Sequence, residues 1–224
     1  MGQNNTLQKI SAERSLKSLK EDSTLLKRGL QDLGIWPKSL EAISEDADAW
    51  NNKGLAFYKL RKNDEAIKCY NAAIKTNPNN ADAWNNKGEV LAWLGKYDEA
   101  INCFDEAMRI EPRHASARIF KGFALDGLEK YIEAIKCYDE AIKINPEDGN
   151  AWRFKGSTLV NLGKFNEAIK CYDTALSIDP NNVDALILKG TALLNLKEND
   201  KAMKCYNEAV KINPEYVKFL HQNI

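Results

Sequence analysis

Five cysteines, Cys69, Cys103, Cys137, Cys171 and Cys205, follow one another at a constant interval of 34 residues. The same interval relates Gly54, Gly88, Gly122, Gly156 and Gly190, and again Pro78, Pro112, Pro146, Pro180 and Pro214. A spacing this regular is a repeat and not a disulfide framework. Five copies of one unit run from about Ala47 onward, and a period of this length makes each copy a supersecondary unit that buries its faces against its neighbours.

The second copy shows the pattern within a unit. AWNNKGEVLAWLG reads as a first helix, KYD as a turn, EAINCFDEAMRI as a second helix and EPRHAS as the link onward, because apolar residues recur at spacings of three and four in both long segments. Gly88, Ala100 and Ala107 are small where backbones must approach, and Trp84, Leu91, Leu94, Ile101 and Phe104 fill the space around them. Pro112 lacks an N–H and disfavours helix in the residue before it, so the second helix ends there.

Trp50, Gly54, Phe57, Ala66, Tyr70, Ala73 and Pro78 stand in the first copy in an order that the other four repeat. This order resembles the tetratricopeptide repeat, over roughly three-quarters of the chain. Arg118 and Leu186 depart from the pattern at the Trp position, and Asn63 and Asn199 replace the aromatic held elsewhere by Tyr97, Tyr131 and Phe165, which suggests loosened turns in the outer repeats. The resemblance implies an all-α fold, an α-solenoid of stacked antiparallel helix pairs in a right-handed superhelix. Its five repeats span 47–80, 81–114, 115–148, 149–182 and 183–216. Residues 1–46 carry no repeat signature and read as an N-terminal helical extension, with Leu7, Ile10, Leu16, Leu19, Leu26, Leu30 and Leu33 at helical spacing. Residues 215–224 read as the start of a capping helix, with Val217, Phe219 and Leu220 as its apolar contacts.

In proteins of this family partners dock on the concave face made by the first helices. The resemblance puts Asn51, Asn52, Leu55 and Tyr58 on that face in the first repeat, and Asn85, Asn86, Glu89 and Trp93 in the second. Ile119, Phe120, Phe123 and Asp126 follow, then Arg153, Phe154 and Ser157, then Ile187, Leu188, Thr191 and Leu194. An Asn-rich half thus precedes an aromatic and aliphatic half. Paired amides carry donors and acceptors for a peptide backbone, and aromatic side chains anchor apolar residues. The expected function is a protein-interaction module or adaptor that takes a peptide or helix of a partner. The alternative is a homo-oligomer built through the groove or the N-terminal helix.

Other classes find little support. The 32 basic residues balance the 32 acidic ones and are interspersed, which argues against nucleic acid and anionic membrane as partners. No secretory leader or long apolar run is present, so the expected location is the cytoplasm. No phosphate loop, ligand-spaced metal set or nucleophile arrangement occurs, so neither enzyme activity nor a cofactor is expected. A clamp for chaperone C-terminal tails needs Lys and Asn, then Asn, then Lys and Arg; the matching positions here are Asn51 and Leu55, Asn86, Ser116 and Phe120, and one of five is kept. The cysteines read as semi-buried packing residues, and His114 as part of an inter-repeat loop. A lysine before every repeat glycine, Lys53, Lys87, Lys121, Lys155 and Lys189, reads as a set of stems packed on the repeat with ammonium groups reaching solvent or an acidic neighbour.

Overall fold

The structure, a computed structural model, describes residues 46–214. The expected N-terminal extension and C-terminal capping helix lie outside the described residues, apart from Asp46. Among the described residues the chain is all α: ten helices pair as five antiparallel hairpins of an α-solenoid, with no strand. They are α1 (Ala47–Lys59) with α2 (Asn63–Thr76), α3 (Ala81–Trp93) with α4 (Tyr97–Ile110), α5 (Ala115–Gly127) with α6 (Tyr131–Ile144), α7 (Gly149–Asn161) with α8 (Phe165–Ile178), and α9 (Val183–Asn195) with α10 (Asn199–Ile212). Two compact units divide within α5, between Phe120 and Lys121. Within each unit a second helix also packs on the first helix of the next repeat, α2 on α3, α6 on α7 and α8 on α9.

The turn inside each repeat is a tight helix C-terminus and not the KYD segment. Lys96 N–H reaches back to Leu91 C=O at 2.9 Å and Gly95 N–H to Ala92 C=O at 3.0 Å, the paired bonds of a Schellman motif. That motif places one residue in the left-handed region, Gly95 at φ 78° and Gly163 at φ 73°, but Arg61, Glu129 and Lys197 at φ 61–63° in the other repeats. Tyr97 and Asp98 therefore open α4, where Asp98 and Glu99 complement the helix dipole. The turns at Asn63 and Asn199 are no looser: Lys62 N–H bonds Phe57 C=O at 2.9 Å and Glu198 N–H bonds Leu193 C=O at 3.0 Å.

Every second helix stops as the prolines require. Asn77, Glu111, Asn145, Asp179 and Asn213, each preceding a proline, are extended with ψ between 93° and 97°. A capping side chain then starts the next first helix. Asn80 and Asn182 accept the N–H of Ala83 and Ala185 at 2.9 Å, and Asp148 accepts that of Asn150 at 3.0 Å. His114, in the link between α4 and α5, does the same through Nδ1, which accepts Ala117 N–H at 3.2 Å, so this loop residue is also a buried cap. With Nδ1 occupied, the ring proton sits on Nε2, 3.3 Å from Asp82 Oδ1. Asn80 makes the equivalent link, donating to Asp48 at 2.9 Å. One side chain thus caps a helix and ties it to the preceding first helix.

The core repeats with the same period. A Cβ built on Gly88 would stand 2.6 Å from the Phe104 ring, and one on Gly156 2.6 Å from the Tyr172 ring. Each ring is fully buried and packs directly against its glycine, which locks the two columns at an offset of 16 residues.

Candidate functional site

These aromatic contacts hold the first helices against the second, and the expected binding residues fall at exposed, half-buried and buried positions of the first helices. In the first unit Asn86 on α3 donates to Asn51 Oδ1 on α1 at 3.0 Å, so the paired amides form a link between repeats as well as a polar surface. Tyr58 donates to Glu89 Oε1 at 3.2 Å, and Glu89 also takes a hydrogen bond from Trp93. Burial holds the Glu89 carboxyl above the usual carboxylate range, against the pull of those two donors. Burial and the neighbouring Glu89 together push the Tyr58 phenol far above its ordinary value. Asn52 and Leu55 are exposed. Phe120 is half-buried, with its ring stacked on Phe104 at 6.3 Å.

In the second unit Phe154 is the centre of an aromatic cluster. Its ring stacks on Tyr138 at 6.2 Å, meets Phe123 at 5.7 Å in a tilted arrangement, and carries the Arg153 guanidinium 4.4 Å above its centroid. All four first-helix side chains in the neighbourhood, Phe123, Arg153, Phe154 and Ser157, are half-buried. Asp126 accepts from Thr158 Oγ1 at 2.6 Å and from Asn161 at 3.3 Å. Burial, then the Asp126 charge, raises the Tyr138 phenol well above its ordinary value. The sequence reading did not single out Thr158 or Asn161. A signal existed, because Thr158 interrupts a column otherwise held by Ala56, Val90, Ala124 and Ala192.

The residue following the Trp position behaves unevenly. Asn85, Ile119 and Ile187 are buried, at 5%, 4% and 7% exposure, while Asn51 and Arg153 stay half-exposed. Ile187 belongs to the packed cluster of Leu186, Leu193 and Tyr206, and Leu188 packs on the cluster of Leu159 and Tyr172. Thr191 bonds the Tyr206 hydroxyl at 3.2 Å. Large apolar side chains remain exposed on three first helices, Leu55 at 36%, Trp93 at 39% and Leu194 at 38%, and on second helices at Ile132 and Met203.

The lysine column has the geometry expected of packed stems. Lys53, Lys87 and Lys155 lie 4.9, 5.5 and 5.6 Å above the rings of Trp50, Trp84 and Trp152. Lys155 and Lys189 also pair at 2.6 Å with Asp139 and Asp173 on the preceding second helix. Burial works against the Lys189 charge, but Asp173 outweighs it and holds the ammonium above its ordinary value. All five cysteines are free thiols, and burial pushes those of Cys69, Cys103, Cys171 and Cys205 up, which suits packing and not nucleophilic duty. Among the described residues no group of three His, Cys, Asp or Glu side chains could hold a metal ion, and no helix is long and apolar enough to cross a membrane.

Models of the tetratricopeptide repeat match residues 51–113, 94–158 and 183–216, and a TPR repeat model matches 156–197. No curated protein sequence matches the chain. Among solved structures, YrrB, a tetratricopeptide-repeat protein with an unusual peptide-binding site, is 26% identical; the match covers 83% of this chain and 95% of that one at a TM-score of 0.58. MamA of Desulfovibrio magneticus, from residue 41 on, is 19% identical over 78% of this chain and 98% of its own, with a TM-score of 0.65. A thermophilic tetratricopeptide-repeat protein of Thermus thermophilus is 18% identical over 79% and 96%, with a TM-score of 0.70. The matched segments together run unbroken from residue 51 to 216, and the helix pairs, glycine–aromatic contacts and proline stops recur in step with them: the chain belongs to the tetratricopeptide-repeat family.

Proposed function

We propose that this chain is a protein-interaction module that holds an extended peptide or a helix of a partner against the face made by its first helices. The observation that carries the reading is exposed apolar surface on first helices of both units: Leu55 and Trp93 with half-buried Tyr58 in the first, and Leu194 in the second, whose Phe123 and Phe154 are half-buried. Core packing gains nothing from leaving large apolar side chains in water, whereas a partner that covers them gains about 25 cal/mol per Å² of apolar surface. The resemblance to YrrB, itself described by its peptide-binding site, supports the same function.

The test is affinity capture from an extract of the source cells, followed by mass spectrometry, with the wild type beside a Phe123→Ala, Phe154→Ala variant. Phe154 packs on Tyr138, so the variant loses about 2 kcal/mol of stability and is first checked for helical content. A partner retained by wild type and lost by the folded variant is the expected result. Equal recovery by both counts against docking at this cluster. Recovery of only further copies of the same chain favours the self-assembling alternative.

A further inference from the structure

We propose that Glu89, together with Tyr58 and Trp93, forms a site for a basic side chain, a lysine or arginine of the bound peptide. The proposal rests on the peptide-docking reading and specifies one residue of that peptide. Glu89 is half-buried on α3, and both of its neighbours are hydrogen-bond donors: the Tyr58 hydroxyl on α1 at 3.2 Å and the Trp93 side chain one turn further along α3. No lysine, arginine or histidine among the described residues pairs with the carboxylate; Arg61 acts on the Tyr58 phenol instead. A carboxylate withdrawn from water without a cation is costly, so its place in a ligand-facing position asks for a charge from outside.

The surroundings fit a cation better than a metal or a neutral group. Two donors already hold the carboxylate, and its remaining lone pairs are open to a third, charge-assisted one. A guanidinium presents two parallel N–H donors to a carboxylate, which an ammonium does not, so arginine is favoured over lysine. The Asn51–Asn86 amide pair on the same two helices lies in position to meet the peptide backbone.

The test follows the Trp93 indole N–H of the full chain by NMR, assigned with Trp93→Phe. The probes are Nα-acetyl-arginine amide, Nα-acetyl-lysine amide and, as the neutral control, Nα-acetyl-norleucine amide. The expected result is a saturable shift with the arginine probe, a weaker one with lysine and none with norleucine. Glu89→Gln, checked for an unchanged spectrum elsewhere, weakens the arginine response at least fivefold. A norleucine response equal to that of arginine, no response at all, or an arginine response that survives Glu89→Gln overturns the assignment. A partner still captured equally by wild type and Glu89→Gln would leave the docking reading standing while this site falls; a cation-specific shift with no captured partner would do the reverse.

Discussion

A methyl group added at Gly156 meets the Tyr172 ring at 2.6 Å, and that ring is fully buried. Gly156→Ala therefore forces the second helix away from the first, at a cost of about 2–3 kcal/mol measured by urea denaturation, and a loss below about 0.5 kcal/mol would show that the contact is softer than the geometry states. The glycine column was readable in the sequence because the repeat displays it five times. Glu89 was readable as a position but not as a chemical state, since its carboxyl is raised by burial against the opposing pull of Tyr58, which lies 31 residues away. The sign of the effect follows from the direction of the shift. A carboxyl that holds its proton more tightly when folded favours the folded state at low pH, and that contribution is lost as pH rises through the raised value. Tyr58, Trp93 and Tyr70 face the group, with Arg61 beside Tyr58. The melting temperature of Glu89→Gln relative to wild type should therefore rise between pH 4 and pH 7.5; a difference that falls over that range contradicts a raised Glu89.

Helices in this chain begin and end by two different devices. Prolines stop the second helices, and this was legible in full from the sequence. The start of the second helix in the second repeat was read two residues too late, at Glu99 and not Tyr97, because an aromatic–acidic pair resembles a turn until the Schellman bonds of Gly95 and Lys96 are seen. His114 lies in the inter-repeat loop as read, but its capping role was not seen, because Asn or Asp carries that role in other repeats and histidine is an uncommon substitute. The capping residues also connect repeats. Asn80 serves Ala83 N–H and donates to Asp48, whereas Asp148 serves only its own helix among the bonds described. Asp148→Ala should cost about 1 kcal/mol and Asn80→Ala about 2 kcal/mol by chemical denaturation. Asn80→Asp separates the two roles, because it keeps the cap but sets a second carboxylate against Asp48; if it is as stable as wild type, the inter-repeat bond contributes nothing.

At the scale of the molecule, five copies of one hairpin supply the frame, and the differences among them supply the surface. The frame was legible because repetition multiplies every signal fivefold. The surface was only half legible: spacing located the first-helix face, but not that Asn85, Ile119 and Ile187 turn inward or that Phe154 stacks on Tyr138. Those outcomes depend on what the neighbouring repeat offers, which a single repeat does not encode. The central claim, that partners meet the first helices, is tested most directly by photo-crosslinking. A benzophenone-bearing phenylalanine placed at Leu55 or Leu194, exposed on first helices, is compared with one at Lys136 or Lys170, exposed on second helices. Crosslinks to a partner from positions 55 and 194, and none from 136 and 170, are the predicted result; a partner captured only from the second-helix positions would contradict the claim.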